Sequence, residues 1–221
     1  MKSKQIERSE AEIGLNRLES LTDGIFAIAM TILVLNIDVP KIPDPPSSLS
    51  LLRALTANWH IFLTYAISFY VLGTLWIYHT HQLHQMKYTT RRHLWLNILA
   101  LMLVCLVPFS ASMCGDYPDL RLSWFFFHLN LLTVGLIFFA QWRMASSQQH
   151  LLKDDPVESG TTRDMGHNLV LPAFALIAMG LSLWAPEYSS TVYLGSYFVL
   201  ARFRWKGRQR GGDGRIAEPG R

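Results

Sequence analysis

Apolar stretches of roughly twenty residues alternate along the chain with short clusters of charged residues. A helix rises about 1.5 Å per residue, so such a stretch crosses the roughly 30 Å hydrocarbon core of a bilayer. The pattern therefore predicts an all-α, polytopic membrane protein with six transmembrane helices. The predicted helices are Leu21–Val39, Trp59–His79, His93–Met113, Trp124–Met144, Asn168–Ala185 and Ser189–Phe203.

The composition agrees with a membrane protein. Of the 221 residues, 50% are hydrophobic and 16% are charged, whereas about a quarter are charged in soluble domains. Residues 1–19 mix both signs of charge and predict a solvated helical lead-in, while the Pro-rich segment 41–48 predicts a loop. We assign residues 1–204 to a six-helix transmembrane domain. Residues 205–221 are glycine-rich and basic, and we expect a disordered cytoplasmic tail.

The basic residues predict an orientation, because cytoplasmic connections carry an excess of Lys and Arg. With both termini inside, all but three of the 20 lysines and arginines lie on the cytoplasmic side; the three are Lys41, Arg53 and Arg121. We expect a multi-pass protein of the inner (plasma) membrane, with the basic tail beside anionic membrane lipid. The net charge of +4 is thereby explained without a nucleic-acid partner.

The first predicted helix is unusual for a lipid-facing span. Asp23 and Asp38 enclose only fourteen residues, which is about 21 Å of helix. Carboxylates that close together would bury charge or mismatch the bilayer, at a cost of a few kcal/mol per charge. A helix that is shielded by the other five, or that lines a water-filled path, avoids this cost. We therefore expect this helix to lie inside the assembly.

A helical wheel divides the first helix into two faces. Asp23 points roughly 120° away from a line on the helix surface, and six other residues fall within about 40° of that line. The polar candidates to bind Asp23 are Asn97 on the third helix and the histidines that end the second. If the line faces a symmetry axis, it predicts a narrow, mostly apolar pore; otherwise it is a packing seam, with Gly24 allowing close approach. The residues of this line, called the α1 stripe below, are Arg17, Leu21, Gly24, Ile28, Thr31 and Leu35.

The run R-L-E-S-L-T-D-G-I-F-A-I-A-M-T-I-L-V-L, residues 17–35, resembles the opening helix of the lysosomal potassium channel family (transmembrane protein 175 type) and its bacterial homologues. The family signature is Arg, three residues, then Phe-Ser-Asp-Gly; this chain has Leu21 and Thr22 in place of Phe and Ser. W-I-Y-H-T-H in the second helix is similar to the family's Trp/His-rich ending. L-W-L-N and Pro108-Phe109 are similar to its third helix, so the likeness covers residues 15–110.

The resemblance implies a homotetramer of six-helix subunits, in which the first helix of each subunit lines a central pore for potassium ions. The family has no T-V-G-Y-G filter, and this chain has none either. Mapped residue by residue, the resemblance places an apolar constriction at Ile28, a polar selectivity layer at Thr31 and a further apolar ring at Leu35. The implied signature network consists of Arg17, Thr22, Asp23, Gly24 and Asn97.

These positions lead to the hypothesis of a potassium-preferring cation channel. An Ile28 ring would gate by dewetting, and Thr31 hydroxyls would replace part of the hydration shell, which potassium holds less strongly than sodium. Asp38 and Asp44 would attract cations to the outer mouth. The alternatives are a secondary or proton-coupled cation transporter, although the chain has no second half that repeats the first, and a non-conducting scaffold.

Other polar residues permit weaker interpretations. The histidines His79, His81 and His84 suit interfacial or network roles better than a metal or pH-sensing site, because their spacing spreads them around the helix. We interpret His128, Asn130 and Gln141 as interhelical hydrogen-bonding residues, and Trp76 as an interfacial anchor. No catalytic, phosphate-binding or cofactor motif is present in the sequence. An enzyme is therefore the least expected class, and no cofactor is predicted.

Overall fold

The computed structural model describes residues 2–147, 152, 165–199 and 201–202, and within them every regular element is an α-helix. No strand forms in this part of the chain, where an isolated bridge pairs Met86 with Leu152. The predicted tail, residues 205–221, lies outside the described residues. The helices are α1 (Lys2–Leu35), α2 (Ser48–Ala57), α3 (Trp59–His84), α4 (Arg91–Asp116), α5 (Arg121–Ser147), α6 (Met165–Ser182), α7 (Pro186–Ser189) and α8 (residues 192–199).

Four described helices are long and apolar enough to cross a membrane. They are the Gly14–Leu35 part of α1, and α3, α4 and α5, each of 26 or 27 residues. They correspond to the first four predicted helices and confirm a multi-pass, all-helical membrane protein. The fifth predicted helix coincides with α6. The sixth coincides with α8, and its predicted end at Phe203 lies outside the described residues.

The other predicted helices differ from the observed ones by a few residues at their ends, but one helix end and one additional helix need an explanation. The first helix ends at Leu35 rather than Val39, because Asn36 and Ile37 close it with short turn bonds to the carbonyls of Leu33 and Val34. The helix α2 follows the predicted loop 41–48 and was not predicted. It begins at a capping box in which the Ser47 hydroxyl accepts a hydrogen bond from the Ser50 amide.

The core lies between α1, α3, α4, α5 and α6, with α5 packed against both α4 and α6. Large side chains fill it: the Phe26 ring of α1 stacks on Phe138 of α5 at 6.2 Å between ring centroids. Two predicted polar residues join helices. His128 Nδ1 lies 3.1 Å from the Tyr193 hydroxyl of α8, and Asn130 Nδ2 donates to Ser110 Oγ of α4 at 3.4 Å. Gln141 is buried without such a bond among the described residues.

A second apolar cluster packs against α1 towards its N-terminal end. Leu15 and Leu18 of α1 pack with Leu83, Met86 and Ala145. Beside the cluster, His84 Nε2 lies 3.2 Å from Glu19 Oε1. The start of the apolar part of α1 is therefore held against the ends of α3 and α5.

Candidate functional site on helix α1

The faces of α1 differ sharply in burial. One face is packed into the core, where Phe26 and Leu33 are at most 1% exposed. The opposite face is the α1 stripe, on which Ile28 is 59% exposed and Leu35 is 75% exposed. The other helices of the same chain therefore shield one face of α1 and leave the stripe exposed. The exposed face fits the other alternative from the sequence, in which α1 lines a water-filled path.

Gly24 has no packing partner from another helix among the described residues. A methyl group built on Gly24 would find no heavy atom of the described residues within 4 Å, apart from its own helix and neighbours. A small residue that serves close helix packing has a partner helix at that distance. Any surface that meets the stripe must therefore come from outside the described residues.

The Thr31 hydroxyl is oriented by its own helix. Its Oγ1 donates to the Ile28 carbonyl oxygen over 2.8 Å, which uses the one proton that a hydroxyl can donate. The side chain is exposed on the stripe. A cation that approaches the stripe would therefore meet oxygen lone pairs at this level.

Asp23 is turned away from the stripe, as the wheel predicted, and its partner is on another helix. Trp76 Nε1 of α3 donates to Asp23 Oδ1 at 2.8 Å. Trp76 was not among the expected partners, Asn97 and the terminal histidines of α3, and it is more than an interfacial anchor. The Trp/His-rich ending of the second predicted helix was the signal that pointed to it.

Asn97 contacts α1 one residue away from Asp23. Its Nδ2 donates to Thr22 Oγ1 over 3.2 Å, and the Thr22 hydroxyl donates in turn to the Leu18 carbonyl at 2.8 Å. Both side chains are buried. The predicted network is therefore brought together at Thr22 and Asn97, whereas Arg17 and Gly24 lie on the exposed stripe.

The C-terminal end of α1 is joined to α4 by a contact that the sequence prediction missed. Asn36 Nδ2 donates to the carbonyl oxygen of Pro108 over 2.7 Å. Asp38, two residues beyond Asn36, is exposed past the end of the helix.

The three histidines of α3 do not converge. His79 is buried, and its ring stacks on Phe138 with centroids 4.4 Å apart. His81 is exposed, 3.3 Å from Gln85 Nε2, while His84 lies beside Glu19. Within the described residues, no three His, Cys, Asp or Glu side chains come together as a metal site. The network interpretation fits this geometry better than the metal interpretation.

Comparison with known proteins gives consistent matches. Residues 17–108 match the family described as endosomal/lysosomal potassium channel TMEM175. A potassium channel of Streptomyces collinus is 33% identical over 193 residues, which cover 85% of this chain and 89% of that protein. The endosomal/lysosomal proton channel TMEM175 of Mus musculus is 39% identical over 106 residues, covering 45% of this chain and 21% of that protein.

A solved structure has the same fold. The crystal structure of a lysosomal potassium-selective channel TMEM175 homologue from Chamaesiphon minutus superimposes with a TM-score of 0.73 at 25% identity. The match covers 86% of this chain and 98% of that one. The likeness thus extends well beyond the helices that carry the sequence signature.

Proposed function

Because the chain belongs to the TMEM175 family, we propose that it is a potassium-preferring cation channel whose pore is lined by α1. Its relatives are named as ion channels, which confirms that the chain is not an enzyme. The Streptomyces collinus relative, which matches 85% of this chain, is named as a potassium channel. Potassium is therefore the proposed permeant ion.

The exposed α1 stripe is the observation that carries the proposal. An apolar helix face that the chain itself leaves open needs either lipid or further protein against it. The stripe also holds Thr31, whose oxygen lone pairs point outward. A face of this kind suits a narrow pore at a symmetry axis, where each copy contributes one helix.

The proposed assembly is a homotetramer of six-helix subunits around a central pore. The six helices are α1, α3, α4, α5, α6 and α8, and α1 of each subunit faces the axis. We propose both termini on the cytoplasmic side of the plasma membrane, in agreement with the distribution of Lys and Arg. Residues 1–204 form the channel domain and residues 205–221 a basic cytoplasmic tail.

Along this pore, two apolar rings enclose a polar layer. Four Ile28 side chains form the narrow point, and water leaves or enters it as the radius changes slightly. One turn further, four Thr31 hydroxyls replace part of the hydration shell of a cation. Leu35 forms the second apolar ring, and Asp38 raises the cation concentration at the outer mouth. Selectivity is modest, because hydroxyls supply fewer and weaker ligands than stacked carbonyl rings.

The test is potassium flux into liposomes that contain the purified protein, with sodium as the competing ion. We expect flux that prefers potassium and that changes with Ile28→Asn. The control is Ile177→Asn on α6, because Ile177 is 57% exposed and Ile28 is 59% exposed. A pore on α1 responds to the first substitution and not to the second. Equal responses, or no flux from folded protein, would contradict the proposal.

Ion identity and transport class need two further readouts. The mouse relative is named as a proton channel, so a pH-sensitive dye inside the vesicles measures whether protons carry the flux. Single-channel recording separates a channel from a transporter, because only an open pore gives discrete current steps. If the vesicles show proton flux without potassium flux, the permeant ion is the proton rather than potassium. The proposed location of the pore on α1 is not affected by that result.

A further inference from the structure

Helix α2 is a regular helix that is capped at both ends by side chains from its own segment. At its start, the Ser47 hydroxyl accepts from the Ser50 amide over 3.1 Å, and the Ser50 hydroxyl accepts from the Ser47 amide over 3.1 Å. At its end, Asn58 Nδ2 donates to the Ala54 carbonyl over 3.0 Å. These bonds satisfy backbone groups at both ends without help from any other helix.

The helix is amphipathic, yet the rest of the chain leaves its apolar side open. At 100° per residue, its leucines fall within an arc of about 160°, while Ser50 and Arg53 lie on the other side. All ten residues of α2 are exposed or half-buried in the chain as described. The leucines are Leu49, Leu51, Leu52 and Leu55, of which the first three are 55%, 40% and 57% exposed.

The depth of α2 follows from its short connection to α3. Asn58 is the single residue between the two helices, so the end of α2 lies where α3 begins. That first turn of α3 carries Trp59, which is 48% exposed, and Phe62, which is 41% exposed. Exposed aromatic residues at the end of a spanning helix mark the level of the membrane–water interface. The connection therefore places the end of α2 at the level of these aromatic residues.

We propose that α2 is an interfacial anchor, with its leucine face among the lipid acyl chains and Arg53 towards the headgroup phosphates. A helix of ten residues is about 15 Å long, too short to cross the bilayer but long enough to lie along its surface. The guanidinium of Arg53 matches the negative charge of phosphate. That the leaflet is the outer one rests on the proposed topology; the anchoring itself does not depend on ion conduction.

The experiment places a fluorescent label on each side of α2. In a Cys105→Ser, Cys114→Ser background, single-cysteine variants Leu49→Cys and Leu52→Cys carry an environment-sensitive dye on the leucine face. Ala57→Cys, which is exposed about 140° from Leu52, is the control. The protein is reconstituted in phosphatidylcholine–phosphatidylglycerol vesicles, either with acyl-brominated lipid or with external iodide.

We expect brominated lipid to quench the two leucine-face labels several-fold more than the Ala57 label, and iodide to show the reverse order. Strong iodide quenching at all three positions would place α2 in water and overturn the proposal. Weak quenching by both reagents, together with disulfide-linked dimers of Leu52→Cys, would show instead that a second copy covers the leucines. Potassium flux of the same vesicles tests the proposed channel separately, since loss of anchoring and loss of conduction are independent readouts.

Discussion

The indole of Trp76 and the carboxylate of Asp23 join α3 to α1 through a hydrogen bond of 2.8 Å. A carboxylate within an apolar bundle is costly unless hydrogen bonds compensate for lost water. The bond satisfies this need and holds Asp23 away from the α1 stripe. It therefore allows the stripe to stay mostly apolar although the helix carries a charge.

Trp76→Phe should lower the stability of the fold, because it leaves Asp23 without this donor. Removing one partner of a hydrogen bond to a charged group costs about 1.5–3 kcal/mol. Thermal unfolding in detergent micelles measures the loss. Trp95→Phe is the control, since Trp95 is 63% exposed on α4 and surface substitutions change stability by about 0.5 kcal/mol or less. If both substitutions lower the unfolding temperature equally, the bond from Trp76 to Asp23 does not stabilise the fold as predicted.

The Thr31 layer gives a prediction about ion preference. Thr31→Val keeps the branched shape but removes the hydroxyl oxygen, and we expect the preference for potassium over sodium to fall. Thr31→Ser keeps the oxygen and should keep most of the preference. Reversal potentials under bi-ionic conditions measure both variants. A preference that survives in Thr31→Val would exclude the hydroxyl as the selective group.

The faces of α1 could be predicted from the sequence, whereas their partners could not. A period of 3.6 residues makes opposite faces visible in one dimension, and Phe26 and Ile28 do lie on the buried and exposed sides. The donor to Asp23 depends on how α3 is rotated against α1, which no local pattern records. Trp76 was therefore interpreted by its position near a helix end alone.

Helix α2 escaped prediction for a different reason. Its leucine spacing and the Ser47 cap are visible in the sequence, but a search for spans of about twenty residues passes over a helix of half that length. The preceding prolines also favoured a loop through the whole connection. Short interfacial helices need a search for amphipathicity rather than for length.

Asn36→Leu should weaken the packing of the C-terminal end of α1 against α4. The substitution removes the donor to the Pro108 carbonyl, and the loss of a hydrogen bond of this kind costs about 1 kcal/mol. We also expect altered conductance, because Asn36 immediately follows Leu35 of the proposed second apolar ring. Asn16→Leu is the control, an exposed asparagine on the same helix. Spin-label distances between α1 and α4 should widen in the first variant only.

Three glycines give a matched series of alanine substitutions. A methyl group on Gly135 of α5 would lie 2.9 Å from Pro172 Cγ of α6, whereas the same group on Gly24 or Gly180 meets nothing within 4 Å in the described chain. Overpacking of a tight contact costs about 1–3 kcal/mol, so Gly135→Ala should unfold at a lower temperature. Alanine favours a helix over glycine by about 1 kcal/mol, so the other two should be at least as stable as the original chain.

Potassium flux then distinguishes the Gly24→Ala variant from the Gly180→Ala variant. Gly24 lies on the α1 stripe and Gly180 on α6, so in the proposed assembly only Gly24→Ala adds a methyl group at the level of the pore. We expect Gly24→Ala to reduce potassium flux and Gly180→Ala to leave it unchanged, with both proteins fully folded. If Gly24→Ala conducts as the original chain does, the stripe is not close to the ion path at this level. If Gly24→Ala instead prevents assembly of the tetramer, the stripe packs directly against another copy.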